Sequence, residues 1–270
     1  MKSNKLMFSL VFCLLSGCAA IPPQTDPHVA EIDPFERFNR ASSNFNDSVD
    51  RNILQPAARG YVKVTPSFVR TGIGNFFGNI NDVWTAANTF LQGDFHEGMS
   101  DVMRVAINST FGLLGFIDIA SEAGLAKHRT DFGQTLGVWG VPNGPYLVIP
   151  FFGPSVVRDA VALPLDDYYG DLWTYYHPTW VRNVGTAVRI VDKRAAYLNA
   201  STLLEDAALD KYAFVRDAYL QRSASQIEMR RNSKQHRDDA ATQKQESEAA
   251  KKELTDFDTQ NNGKPVDTQK

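Results

Sequence analysis

Between Phe68 and Leu91 apolar residues recur at intervals of three and four, which is the spacing of one stripe on an α-helix. The stripe consists of Val69, Ile73, Phe76, Phe77, Ile80, Trp84, Ala87 and Leu91. The opposite face carries asparagines and glycines, whereas a solvated face would carry Lys and Glu. Small residues and neutral amides are typical of helices that pack closely or line a polar space within a membrane. The alternative is a water-soluble core helix with an Asn-rich surface.

Three further stretches have helical spacing, and together they predict a mainly α fold. Asp33-Pro34 followed by Glu36 is a helix start, and residues 35–54 carry one apolar stripe. Residues 101–120 are amphipathic, contain glycine and bear little charge. Residues 181–220 have the pattern of helices with Arg and Lys outward.

One stretch breaks this helical pattern. The run from Phe132 to Val157 has 26 residues without charge, but its five glycines and four prolines exclude a simple membrane helix. Non-helical backbone at membrane depth is tolerated only where protein buries it or where it lines a wet cavity. We expect a hairpin, re-entrant or wedged among helices, with arms Phe132–Gly140 and Tyr146–Phe152. Its turn residues are Gly140, Pro142, Asn143, Gly144 and Pro145.

The N-terminus has the features of a signal peptide. Lys2 and Lys5 precede a short apolar segment, which ends in Leu15-Ser16-Gly17-Cys18. This ending resembles the lipobox of bacterial lipoproteins, in which Cys18 would be acylated and Cys13 removed. An ordinary secreted protein with a chance thiol is the alternative. Ala19 after the cysteine resembles an outer-membrane address.

These features predict four parts of the chain. Residues 1–17 are the signal peptide, 18–32 a proline-bearing acylated tether, and 33–222 the helical domain. Residues 223–270 have too few large apolar side chains to bury a core, so we expect a disordered tail or a lone solvated helix.

The composition excludes several functions. A net charge of −3 gives no indication of nucleic-acid binding. The five histidines are scattered and lack the spacing of metal ligands, so we expect no metal. The glycines at 72, 74 and 78 do not form a dinucleotide or P-loop fingerprint, so we expect no cofactor. A lipid hydrolase using Ser155 or Asp166 stays open as an alternative, although Ser155 lacks the second glycine of a nucleophile elbow.

Polar and aromatic side chains outside the helices are the candidates for a site. Arg158-Asp159 closes the neutral run and is either a surface salt bridge or a contact to a phosphate headgroup or the wet end of a pore. An aromatic cluster suits either a membrane–water interface or a soluble core. The cluster comprises Tyr168, Tyr169, Trp173, Tyr175, Tyr176 and Trp180.

At these residues the sequence resembles the MlaA (VacJ) family of outer-membrane lipoproteins. The resemblance runs in order from about Asp33 to Leu220, behind the lipobox. It is carried by DPFERFNRASSNFN (33–46), NTFLQGD (88–94), RVAINSTFGLLGFIDIA (104–120), DFGQTLGVWGVPNGPYLVIPFFGPSVVRD (131–159) and VRDAYL (215–220).

The resemblance implies a helical ring in the inner leaflet of the outer membrane, with an amphipathic channel through it. It also implies a trimeric outer-membrane porin as a partner. The function implied is removal of phospholipids mislocalised to the outer leaflet, which are passed to a soluble, MlaC-like periplasmic carrier. An enzymatic activity is not implied. A structural lipoprotein without lipid cargo is the other alternative.

Individual residues receive roles from the resemblance. Residues 132–152 match the hairpin beside the channel, and Asn44-Phe45 match the family's early Asn-Phe motif. The other candidates come from the amphipathic helices and the charged pair, not from the resemblance. We expect Asn75, Asn79, Asn108, Arg158 and Asp159 to line the channel or contact headgroups. Pro142 departs from a more glycine-rich turn and predicts a stiffer one, and Ala-Val follows Arg158-Asp159 where a glycine is expected.

We expect Cys18→Ala to release the protein from the membrane in a soluble, inactive form. Each buried methylene of an acyl chain contributes about 0.8 kcal/mol, so three chains anchor permanently and their loss removes the anchor. Membrane fractionation and measurement of outer-leaflet phospholipid check this expectation. Full activity without acylation would contradict it.

Overall fold

The computed structural model describes residues 32–201 and 209–262, with the backbone alone at residues 241, 250 and 253–262. In this part of the chain the α-helices are α1 Glu36–Val49, α2 Gln55–Val64, α3 Ser67–Leu91, α4 Phe95–Thr110, α5 Ile119–Glu122, α6 Phe132–Val138, α7 Val157–Leu165, α8 Thr179–Ala196 and α9 Lys211–Asn262. The strands are β1 Tyr146–Ile149 and β2 Gly153–Val156, which pair antiparallel. The predicted mainly α fold is confirmed. Cys18 and the rest of 1–31 lie outside the described residues.

α1 and α2 form one continuous helix, joined by a π-helical turn at Asp50–Leu54. Pro56 stands in the first turn of α2 and has no backbone N–H, so it cannot donate to the carbonyl four residues earlier. The Gln55 N–H donates to the Asp50 carbonyl, five residues earlier. The wider turn thus accommodates the proline without ending the helix.

α3 packs chiefly against α4, which follows it directly. The connection is short because Gly93 turns the chain with a φ of 76°. Asp94 then caps α4, its carboxylate accepting a hydrogen bond from the Glu97 N–H. A connection of this length places consecutive helices side by side.

The neutral run Phe132–Val157 folds as a short helix, a loop and the strand pair. α6 begins where it does because the Asp131 carboxylate accepts from the Gln134 N–H at 2.7 Å. α6 packs against α7. Throughout the described residues, no helix combines the length and the apolar character needed to cross a membrane.

The hairpin in this run has a different turn from the predicted one. The expected arms, Phe132–Gly140 and Tyr146–Phe152, would meet at 142–145, but β1 pairs with β2 across a turn at 150–152. The expectation was wrong because the capped first arm is helical, and a helix has no free backbone edge to offer a strand. Residues 139–145 form the loop between α6 and β1.

Two asparagine side chains of α1 close the free edge of β1. The Asn39 amide donates to the Tyr146 carbonyl at 3.0 Å and accepts from the Val148 N–H at 2.8 Å. The Asn46 amide likewise donates to the Ile149 carbonyl at 3.1 Å and accepts from the Phe151 N–H at 2.7 Å, where β1 enters its turn. A side-chain amide has the same donor and acceptor as a peptide group, so these residues replace a neighbouring strand.

α8 is joined to the helices before it by charged and polar contacts. The Arg194 guanidinium binds both oxygens of Asp50, at 2.6 and 2.9 Å. The Tyr61 hydroxyl donates to Asp192 at 2.8 Å. These contacts connect residues more than 130 positions apart in sequence and hold α8 against α2.

The chain divides into two compact units, one ending at Arg222 and the other beginning at Ser223. Within the second unit the described residues are helical up to Asn262, and a lone solvated helix is one of the two alternatives that the sequence left open. The stretch contains no Gly or Pro before residue 263 and is rich in strong helix formers, which favours the helix.

We expect Asn39→Ala to lower the free energy of unfolding by about 2–4 kcal/mol, because it leaves a buried N–H and a buried carbonyl of β1 without partners. Denaturation in mild detergent, followed by circular dichroism, measures the change. Asn44→Ala, at an exposed position of the same helix, is the matched control and should be neutral within about 0.5 kcal/mol. Equal effects of the two substitutions would contradict the role of Asn39.

Candidate functional site

The interior of the described protein is mostly polar. Of its ten largest fully buried side chains only two, Tyr146 and Val156, are hydrophobic. The other eight are Arg104, Asn39, Asn88, Asn108, Thr85, Thr89, Thr135 and Asp101. Water-soluble domains bury mainly aliphatic and aromatic side chains. This distribution therefore sets the protein apart from an ordinary soluble helical domain.

Within α4 the buried face is polar and the exposed face is apolar. Its buried face bears Asp101, Arg104 and Asn108. Its outer face exposes Met99 and Met103, which are 56% and 48% accessible. A helix at a water-exposed surface would turn these two faces the other way.

After α4 the chain forms an apolar loop, residues 111–117, instead of continuing the helix predicted over 101–120. Leu113 and Leu114 have positive φ angles of 52° and 58°, which ends the helix, and their side chains are 69% and 67% exposed. Phe111 is exposed as well. A non-glycine residue with positive φ is strained, so the loop needs support from its surroundings.

Three of the predicted site residues provide that support. The Asn75 amide donates to the Phe116 carbonyl at 3.3 Å, and the Asn79 amide donates to the Ser109 hydroxyl at 2.9 Å. Asn108 accepts from the backbone N–H that follows the loop, at Ala120. In this structure the three asparagines bind the chain itself. A role in contacting headgroups stays a prediction.

Asp118 sits at the centre of the network below the apolar loop. The Arg104 guanidinium contacts both of its oxygens at 3.0 Å, and the Asn108 amide donates to it at 2.9 Å. Burial would raise the pKa of Asp118, but hydrogen bonds from Ser121 and Asn108 and the charge of Arg104 outweigh it and lower the pKa to about 2. Asp118 is therefore a carboxylate at neutral pH.

A second polar cluster joins α3 to α6. The Thr135 hydroxyl donates to the Asn88 amide oxygen at 2.8 Å. The Gln92 amide contacts the hydroxyls of Thr135 and Thr130 at 2.9 and 2.8 Å. Each of these four side chains thus has a hydrogen-bond partner within the cluster, as buried polar groups usually do. Within the described part of the chain, no group of three or more His, Cys, Asp or Glu residues could hold a metal ion.

The two residues considered for a hydrolase serve structural contacts. The buried Ser155 hydroxyl donates to the Val156 carbonyl at 3.2 Å. The Asp166 carboxylate accepts from the Trp84 indole at 2.7 Å and from the Phe132 N–H at 2.8 Å. Burial raises the pKa of Asp166 despite these donors. Among the described residues, Ser155 has no hydrogen bond to a histidine base.

Arg158 lies in the interior and does not form the surface salt bridge that was one of the alternatives for it. Its side chain is only 1% exposed and binds Asp159 at 2.7 Å and the Asn143 amide oxygen at 2.6 Å. The other Asp159 oxygen accepts from the Tyr219 hydroxyl at 2.9 Å. The pair thus holds the loop 139–145 to α7. A headgroup contact of Arg158 or Asp159 stays a prediction.

The remaining predicted turn residues belong to this same loop. Gly140 and Gly144 have φ angles of 100° and 67°, which favour glycine, and both are exposed. Pro142 is exposed, and the Pro145 carbonyl accepts from the Val157 N–H at 3.0 Å. The first half of the loop is held to α6, where the Val141 N–H donates to the Leu136 carbonyl at 2.9 Å. Its role at a channel is untested by these contacts.

Asn44 and Phe45 are both exposed on α1. The Phe45 ring packs edge-on against Phe151 at a centroid distance of 5.0 Å. Sequence reasoning missed the neighbours Asn39 and Asn46, which hold β1. Their spacing of seven residues, two helical turns on one face, was the available signal.

The aromatic cluster is largely exposed. Tyr168, Tyr169, Tyr175, Tyr176 and Trp180 are between 48% and 69% accessible. Trp173 alone of the six packs inward, where its indole donates to the Arg182 carbonyl at 3.0 Å. Large exposed aromatic surfaces are unusual on monomers in water and mark interaction with a partner or a membrane.

Polar groups inside, apolar side chains outside and a mainly helical frame define a class of protein whose outer surface is suited to apolar surroundings. The sequence identifies one family within that class. The chain belongs to the MlaA lipoprotein family, whose sequence model matches residues 31–226. The resemblance noted from the motifs is thereby confirmed.

Individual relatives cover most of the chain. The intermembrane phospholipid transport system lipoprotein MlaA of Escherichia coli (strain K12) is 38% identical over 228 residues, 82% of this chain and 88% of that protein. The protein of the same name from Haemophilus influenzae is 32% identical over 226 residues, 82% and 89% of the two chains. A solved structure from work on the structural basis for maintenance of bacterial outer membrane lipid asymmetry is 36% identical, with a TM-score of 0.62, covering 71% of this chain and 96% of that one.

We expect Asp118→Asn to lower the free energy of unfolding at pH 7 by about 3 kcal/mol, because Arg104 then keeps a buried charge without a charged partner. The depressed pKa of Asp118, about 2, means that the wild type has this stabilisation above pH 4 and loses it as the pH falls towards 2. The variant should lack this part of the acid dependence.

Denaturation at pH 7, 4 and 2.5 in mild detergent measures the difference. Asp167→Asn, which changes an exposed carboxylate, is the matched control and should follow the wild type at every pH. A variant that loses stability with acid as steeply as the wild type would show that Asp118 does not act through its charge.

Proposed function

We propose that the protein is an outer-membrane lipoprotein, anchored through Cys18 on the periplasmic-leaflet side, which maintains lipid asymmetry. It removes mislocalised phospholipids from the outer leaflet and passes them to a soluble periplasmic carrier. Family membership and the names of its relatives support a function in phospholipid transport. The observation that carries it is the inverted polarity of the fold, since a polar interior within an apolar exterior suits a passage for headgroups through a membrane.

The energetics of the cargo require a shielded path. A phospholipid with two chains of about 16 carbons would cost roughly 25 kcal/mol to expose fully to water, at 0.8 kcal/mol for each methylene. Free passage through the periplasm is therefore excluded. A channel with amide-bearing walls could pass the headgroup while the acyl chains follow apolar surface.

The ring and the channel belong to this proposal, as does the embedding in the inner leaflet. The exposed residues of α4, the apolar loop and the aromatic cluster would face lipid. The loop 139–145, whose Gly140, Pro142 and Gly144 are exposed, would lie beside the channel. A trimeric porin would hold the protein in place, and an MlaC-like carrier would receive the lipid.

The protein would perform no chemical step. Ser155 and Asp166 are engaged in contacts within the chain, and the sequence has no nucleotide-binding motif. Lipid would therefore move down a gradient, or to a carrier that binds it more tightly.

The substitution of Leu113 and Leu114 together by Lys should raise phospholipid in the outer leaflet and lower the phospholipid that co-purifies with the protein. Both side chains are exposed, so the charges should leave the fold intact while opposing insertion among acyl chains, where a lysine costs about 2.5–3.5 kcal/mol at the bilayer centre. Mass spectrometry of co-purified lipid and surface labelling of phospholipid give the two readings.

Met229→Lys changes an apolar side chain of the second unit that is 59% exposed, and it is the matched control. It should behave like the wild type in both measurements. If the wild type itself carries no phospholipid, or if the double variant keeps normal asymmetry, the proposed function is wrong.

A further inference from the structure

The segment after α1 has an unusual concentration of positive charge. Between Asp50 and Asp82 the sequence contains four basic residues and no acidic one, although the net charge of the chain is −3. The four are Arg51, Arg59, Lys63 and Arg70. They fall in the π-helical turn, in α2 and in the first turn of α3.

Within the described residues, these charges have no ion-pair partner. Arg51, Arg59 and Lys63 are exposed, and none of them forms an ion pair with a described carboxylate. Most other cations of the same unit do hold a carboxylate; examples are Arg104, Arg158, Arg189, Arg194 and Lys211. The protein thus pairs most of its other cations in this unit with carboxylates and leaves Arg51, Arg59 and Lys63 unpaired.

Neighbouring acidic groups are already occupied. Asp50, at the start of the segment, is bound by both arms of Arg194. Asp192 of α8, which packs against α2, accepts from the Tyr61 hydroxyl. Both carboxylates are thus held by other side chains, and neither forms an ion pair with the basic residues of this segment.

Large apolar side chains lie among the charges. Ile53, Val64 and Phe68 are 62%, 80% and 69% exposed. Ile53 and Val64 lie on the same continuous helix as the cations, and Phe68 lies at the start of α3. Exposed Arg and Lys beside exposed apolar residues are typical of a surface at a membrane interface, with its cations at the level of the phosphates. Charge complementarity identifies the occupant, because phosphate-bearing lipids are the anions at that level.

We propose that this basic face, defined as Arg51, Arg59 and Lys63, binds the headgroups of anionic phospholipids in the surrounding leaflet. Ile53, Val64 and Phe68 insert among the adjacent acyl chains. The inference rests on the proposed membrane embedding and adds to it a preference for lipid charge. The protein thereby gathers a shell enriched in anionic lipid along α2.

The experiment uses the full-length, acylated protein reconstituted into vesicles of phosphatidylcholine with a quarter phosphatidylglycerol, and into pure phosphatidylcholine. Mass spectrometry measures the ratio of the two lipids that remain with the protein after mild detergent extraction. Each basic side chain at an anionic surface gives a preference on the order of fivefold. The triple variant Arg51→Gln, Arg59→Gln, Lys63→Gln should bring the ratio close to that of the bulk lipid.

Lys252→Gln, an exposed cation of the second unit, is the matched control and should keep the wild-type enrichment. Salt at 0.5 M should lower the enrichment of the wild type, since it screens exposed charges. Inorganic phosphate at constant ionic strength should leave it unchanged.

Three results would overturn the inference: no enrichment in the wild type, full enrichment in the triple variant, or competition by inorganic phosphate, which would indicate a site for free phosphate. A different result of the same experiment tests the proposed function. If the wild type enters neutral vesicles and carries phospholipid but shows no preference, only the inference fails; if it enters neither kind of vesicle, both fail.

Discussion

The fold depends on one requirement, that polar groups removed from water find partners within the chain. The cost of an unpaired buried amide or charge is a few kcal/mol, and it grows where the surroundings are apolar on the outside as well. Asn39 and Asn46 meet this requirement for β1, a strand with one partner and one free edge. Arg104 with Asp118 meets it for the apolar loop.

This requirement explains why the protein can carry its apolar side chains outward. A soluble domain gains its stability from an aliphatic core, whereas here the largest buried side chains are amides, hydroxyls and ions that fix one another's positions. Specific pairing of this kind can hold short, irregular pieces of backbone in place. The left-handed residues Leu113 and Leu114 are the clearest case, since their strain is supported by Asn75, Asn79 and Asn108.

Prediction from the sequence succeeded where the pattern is long and regular. α3 was predicted within a residue of its bounds, because its stripe extends over six turns. The helix expected over 101–120 ended early at Thr110, since Gly112 and Gly115 allow a turn that periodicity alone does not reveal. The hairpin was assigned to the wrong turn, because two turn-forming sequences lie eight residues apart and local rules cannot rank them.

The sequence by itself determined the helical frame, the family and the neutral run that cannot be a membrane helix, because these follow from spacing and residue type along the chain. Only the tertiary structure decided which face of each helix is buried. Periodicity identifies an apolar and a polar face, but which one turns inward depends on partners distant in sequence, such as Tyr146 for Asn39 or Asp118 for Arg104. The same reason applies to Arg158, whose place in the interior is set by Asn143 fifteen residues away.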